Sequence, residues 1–91
     1  MMSRAHLLIS GRVQGVFYRE HVRRWAAPLR IRGWIRNNDD GSVEAVLEGE
    51  KNNLESLIEK MRGGPPMSRV DELTVGWENY LNEFEDFRIT W

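Results

Sequence analysis

The sequence predicts an α+β sandwich in which two helices cover one face of an antiparallel sheet. Apolar residues alternate with polar ones in four segments and a short fifth, which is the signature of strands half-buried against a core. In two other segments they recur at helical spacing. Strong turn signals, Asn38-Asp39-Asp40-Gly41 and Gly63-Gly64-Pro65-Pro66, punctuate the pattern.

Leu7, Ile9, Gly11 and Val13 alternate with His6, Leu8, Ser10 and Arg12 as the first strand. Tyr18, Val22, Trp25, Ala26 and Leu29 follow at helical spacing, with Pro28 weakening the last turn. Ile31, Gly33, Ile35 and Asn37 form the next alternating set. Asp40-Gly41 readily supplies the positive φ of a tight hairpin, and Val43, Ala45 and Leu47 return as the third strand. Ser42, Glu44 and Glu48 take that strand's other face. Leu54, Leu57, Ile58 and Met61 make a second helical stripe, with Asn52 or Asn53 as the expected cap and the Gly-Gly-Pro-Pro run as its stop. Leu73, Val75 and Trp77 alternate as the fourth strand. An acidic loop around Glu83, Glu85 and Asp86 leads to a short last strand at Phe87, Ile89 and Trp91. The order is βαββαβ with an extra C-terminal strand, the split arrangement of ferredoxin-like folds. That architecture hosts many activities and names none.

Ninety-one residues, 41% of them apolar, suit a single domain over 1–91. No stretch is long or apolar enough to span a membrane, and the N-terminal segment lacks signal-peptide organisation, so the expected address is cytoplasmic. The absence of cysteine removes disulfides, a thiol nucleophile and thiolate-ligated metals. His6 and His21 alone do not suggest a histidine metal site, and neither metal nor cofactor is expected. A net charge of −1 and a pI near 6.1 argue against a general nucleic-acid-binding surface. The charge is unevenly spread: eight arginines lie between Arg4 and Arg36 against one acid, Glu20. A basic first part of the chain fits an anionic ligand.

Two segments carry residues suited to such chemistry. Gly11-Arg12-Val13-Gln14-Gly15-Val16-Phe17-Tyr18-Arg19 joins the first strand to the first helix. Backbone N–H groups at a helix start have no intrahelical partner, and with the helix dipole they form an anion site. Gly15 permits the bend that turns consecutive amides into a nest, and Arg19 adds a planar fork matched to phosphate oxygens. The same residues also fit a plain strand–helix connection with a surface arginine. The Walker spacing is absent, which argues against a nucleotide P-loop. The second segment is Gly33-Trp34-Ile35-Arg36-Asn37-Asn38, where Asn37 shares the inward set with Ile31, Gly33 and Ile35. A buried amide needs partners, although an asparagine opening a hairpin turn often bonds its own backbone. The five serines lack a nucleophile-elbow context. His21 reads as a helix-surface residue, the acids from Glu44 to Glu59 as solvated faces, and Trp34 and Trp77 as packing residues.

The first segment resembles the first signature of the acylphosphatase family, Gly-x-Val-Gln-Gly-Val-x-[Phe/Tyr]-Arg. Gly33-Trp34-Ile35-Arg36-Asn37, with Asp40-Gly41-Ser42-Val43-Glu44 after it, resembles the second. Gly64-Pro65-Pro66 to Arg69-Val70 and Phe87-Arg88-Ile89 are similar to the family as well, so the likeness runs along the whole chain. It implies a ferredoxin-like fold with an additional strand. It implies hydrolysis of the carboxyl–phosphate anhydride of an acyl phosphate to a carboxylate and inorganic phosphate, without metal or cofactor. The roles fall on the backbone amides of Gln14, Gly15, Val16, Phe17 and Tyr18 and on Arg19 as phosphate ligands, and on Asn37 as the residue that orients water. Ser42 is expected to hold the Asn37 amide in place. A carboxylate leaves readily, so positioning and charge stabilisation suffice, and the phosphate itself can take the proton.

Some positions depart from the family pattern. Leu29-Arg30-Ile31, after Pro28, replaces the usual Leu-Gly-Leu, which removes the glycine of an αL helix cap. Phe17 is bulkier than the small residue common at its place. Altered stability or loop mobility is expected, with activity retained and a monomer sufficient for it. A non-catalytic anion-binding module of the same fold is the alternative. Single-strand RNA recognition ranks below both, because the aromatic run it requires is missing from the strands.

Overall fold

The computed structural model describes Met1–Trp91. Its elements are β1 (Met2–Arg12), α1 (Tyr18–Ala26), a 3-10 turn (Ala27–Leu29), β2 (Arg32–Asn37), β3 (Val43–Glu50), α2 (Lys51–Gly63), β4 (Arg69–Glu78) and β5 (Phe87–Thr90). The sheet runs β4-β1-β3-β2-β5. The first four strands pair antiparallel, as expected, whereas β5 lies parallel to β2, so the sheet is mixed.

Period-two alternation places Ala5, Leu7 and Ile9 of β1 with Ile35, Val43, Ala45, Leu47 and Leu73 on one face. Val22 and Ala26 of α1 and Leu54, Leu57, Ile58 and Met61 of α2 close over them in one hydrophobic cluster. Tyr18 is buried in that cluster, and its hydroxyl donates to the Met61 carbonyl at 2.8 Å, which pins the start of α1 to the end of α2. Burial raises the Tyr18 phenol well above its ordinary pKa, so it remains a neutral donor. Where β2 meets β3, a Cβ on Gly33 would fall 1.9 Å from the Val46 carbonyl oxygen, so no larger residue fits there.

Several local expectations change. Asn52 and Asn53 do not cap α2: Glu50 holds the cap position without a side-chain bond to the helix amides, and Asn53 Nδ2 donates to the Leu29 carbonyl. The acids of β3 are not simply solvated. Glu48 is only 3% exposed on the sheet face opposite the helices. The segment between β4 and β5 crosses that face, and the amides of Leu81 and Glu83 donate to the Glu48 carboxylate at 2.8 and 2.9 Å. Arg4 donates to Glu48, Glu78 and Glu83 from the neighbouring strand, with its guanidinium 5.2 Å from the Phe84 ring centre.

The exit from α1 keeps its cap despite the missing glycine. Arg30 adopts φ 55°, ψ 34°, and its N–H donates to Ala27 O at 3.1 Å while Ile31 N–H donates to Ala26 O at 3.2 Å. These two bonds are a Schellman motif with arginine in the left-handed position. Pro28 sits in the first turn of the 3-10 segment, where its missing N–H costs nothing. The Arg30 side chain makes no hydrogen bond or ion pair, so Arg30→Gly should relieve the left-handed strain. Stability should rise by about 0.5–1 kcal/mol, read from urea denaturation, with activity unchanged.

Candidate active site

The loop from Val13 to Phe17 links the end of β1 to the start of α1. Two of its residues lie in the left-handed region, Gly15 at φ 73° and Phe17 at φ 60°. Nothing lies within 4 Å of where a Gly15 Cβ would stand, so its conformation, not crowding, favours glycine there. Phe17 occupies the N-cap position of α1 with no side-chain cap. None of the N–H groups of Gln14, Gly15, Val16, Phe17 and Tyr18 has an acceptor within the chain. Five successive free donors, bent through two left-handed residues at the positive end of a helix, make a nest for an anion.

Arg19 stands one residue inside α1. It is paired with no carboxylate; its Nη1 donates to the Thr90 carbonyl at 3.4 Å, and its guanidinium stacks 4.5 Å from the Trp91 ring centre. By contrast, Arg23 and Arg24 on the same helix are both taken up by Glu20. His21 lies on the helix surface, its Nδ1 2.9 Å from Phe17 O.

Asn37 ends β2. Its Oδ1 is buried and has no hydrogen-bond partner in the chain. An orphaned buried acceptor costs about 1–3 kcal/mol, so one at the end of a strand calls for a reason. Register brings Asn37 to the same corner as Arg19. The last β2–β5 pair is Arg36 with Thr90, the residue whose carbonyl Arg19 reaches, and Asn37 follows directly.

Ser42 does not hold the Asn37 amide. Its hydroxyl donates to Asp40 Oδ1 at 2.6 Å and accepts from Asn38 Nδ2 at 3.0 Å, closing the β2–β3 turn. The hydroxyl of Ser42, and then its amide, keep the Asp40 carboxyl below its usual pKa. The link from this turn to the loop comes from the Gln14 side chain instead. Its Nε2 donates to both Asn38 O at 2.8 Å and Ser42 O at 2.9 Å. Sequence reasoning assigned Gln14 only through its amide. Its side-chain partners are carbonyls 24 and 28 residues away, which leave no mark in local spacing.

Beside Arg19 a groove of about 610 Å³ opens between the loop and the end of β5, walled in part by Gly15, Phe17, Ile89 and Trp91. No group of three or more His, Asp or Glu side chains is placed to share a metal ion.

The acylphosphatase family model matches residues 5–89. The chain belongs to the acylphosphatase family. It is 52% identical over 89 residues to a protein named acylphosphatase from Pyrobaculum arsenaticum, covering 97% of this chain and 94% of that one. The crystal structure of acylphosphatase from Bacillus subtilis superposes with a TM-score of 0.94 at 35% identity, covering 100% of both chains. An acylphosphatase from Coxiella burnetii gives 0.85 at 39% identity over 98% of this chain and 93% of that one. The α+β fold with its extra C-terminal strand is therefore the acylphosphatase fold, and acylphosphatase activity is the activity this chain carries.

Proposed function

We propose that the chain hydrolyses acyl phosphates without a metal ion, by holding the phosphoryl group in the loop nest and on Arg19 while Asn37 orients the attacking water. The orphaned Asn37 Oδ1 carries the second half of this reading. A buried carbonyl oxygen is an acceptor only, so a water bound there donates one hydrogen to it and turns a lone pair away from the amide. Asn37 is too weak a base to take the proton. In the reaction the water oxygen attacks phosphorus, the bond to the bridging oxygen breaks, and the carboxylate leaves with the electron pair. The water's proton passes to a phosphate oxygen.

The first half rests on the five free amides and on an arginine uncommitted to any carboxylate. Charge on the equatorial oxygens of a loosening phosphoryl group is stabilised by donors that are fixed beforehand. Gln14 would keep the two halves in register, because it ties the loop to the turn that follows Asn37. All of these residues come from one chain, which suits a single domain acting as a monomer. No helix is long and apolar enough to cross a membrane, and a cytoplasmic address is part of the same proposal.

Asn37→Ala should lower kcat by about 10²-fold with little change in KM, since it removes water positioning and leaves the phosphate ligands. Phosphate release from an acyl phosphate measures this, and the unaltered protein should keep its rate in excess EDTA. A variant as fast as the parent would remove Asn37 from the reaction, and a rate lost to EDTA and restored by a divalent ion would overturn the metal-free step.

A further inference from the structure

We propose that the groove beside Arg19 is a subsite for the acyl chain, and that the enzyme selects acyl phosphates with apolar acyl groups of several carbons over acetyl or carbamoyl phosphate. This rests on the assignment of Arg19 and the loop amides as the phosphoryl ligands. Three features of the groove carry it.

Continuity comes first. Arg19 and Gly15 are walls of the groove as well as parts of the phosphate nest. In an acyl phosphate the carbonyl carbon is one bridging oxygen from phosphorus, so a phosphoryl group held there delivers its acyl end into the groove. Size comes second. About 610 Å³ falls within the range of small-molecule sites and far exceeds an acetyl group.

The third feature is the chemistry of the walls. Phe17, Ile89 and Trp91 offer apolar surface, and the only charged side chains present are Arg19 and Glu20. Glu20 is bonded to Arg23 and Arg24, which leaves it little free to serve a ligand. A polar acyl group would lose its water there against walls that return few hydrogen bonds. Phe17 is 77% exposed and held in the left-handed conformation, so its ring contributes little to the core. A large exposed aromatic at the mouth of a site gains burial only when a ligand covers it.

Straight-chain acetyl, butyryl, hexanoyl and octanoyl phosphates have leaving groups of nearly equal acidity, so a rate series across them reads the groove and not the chemistry. The expected result is a rise in kcat/KM of about threefold per methylene up to hexanoyl, near what burial of one CH₂ is worth. Phe17→Ala should cut the hexanoyl-to-acetyl ratio about tenfold, and Phe17→Leu should restore most of it. Inhibition by hexylphosphonate relative to methylphosphonate should follow the same ratio, which reads the subsite even in a variant with slow turnover. A hexanoyl-to-acetyl ratio within twofold of one in the parent would overturn the subsite, as would a ratio unmoved by Phe17→Ala. Arg19→Ala should lower kcat/KM at every chain length, acetyl phosphate included. An acetyl phosphate rate unchanged in that variant would sink the phosphoryl assignment, whereas a flat chain-length series with Arg19 in place sinks only the subsite.

Discussion

Arg19→Ala should lower kcat/KM for an acyl phosphate by about 10³-fold or more while the protein stays folded. A charge-stabilising arginine is worth that much when it acts on a transferring phosphoryl group. The fold should tolerate the change because Arg19 has no carboxylate partner to strand. Its one hydrogen bond is a long 3.4 Å contact to Thr90 O. The accompanying loss of stability should stay within about 1 kcal/mol. Arg19→Lys should recover only part of the rate, since an ammonium supplies the charge without the planar pair of donors. Phosphate-release kinetics together with urea denaturation separate the two effects. Activity within tenfold of the parent, in a folded variant, would take Arg19 out of the phosphoryl grip.

Glu48→Ala should be the most destabilising charge removal in the molecule, costing about 3 kcal/mol. It leaves the Leu81 and Glu83 amides without their acceptor and removes one of three carboxylates from Arg4. Burial by itself would raise the Glu48 pKa, but the two amides and the Arg4 guanidinium outweigh it and hold the carboxyl below its usual range. The sign of the pH effect follows. A carboxyl with a depressed folded-state pKa contributes its full stability above its unfolded value of about 4.3 and loses it as pH falls through the folded value. The stability gap between parent and variant should therefore be widest near neutral pH and should narrow below about pH 4. Urea denaturation at several pH values measures the gap. A gap that is constant across that range would assign the loss to packing instead of ionisation.

Much of the fold is legible in the sequence because its signals are local. Period-two runs fix the sheet face of β1 and β3, and the 3.6 period of Leu54, Leu57, Ile58 and Met61 fixes α2. The parallel docking of β5 is not legible, since four residues carry no mark of the strand they join or of its direction. Glu48 reads as a solvated acid for a related reason: alternation tells which side of the sheet it occupies but not that a later segment covers that side. Arg30 shows the opposite case. The missing glycine predicts a doubtful cap, yet an arginine takes the same conformation and the Arg30 and Ile31 amides make the bonds of that cap. In the candidate site, glycine spacing and the inward register leave the loop and Asn37 open to plain structural readings, and the resemblance of both segments to the family is what singles them out. Ser42 is assigned to the wrong neighbour because Asp40, two residues away, offers it a nearer and charged acceptor.

The contact between Arg19 and Thr90 spans 71 residues of sequence. The arginine proposed to grip phosphate is thus braced by the last strand of the chain, at the outer edge of the sheet. Fraying of that four-residue edge strand would then release Arg19 while the core stays closed, so turnover would fall before the helical signal does.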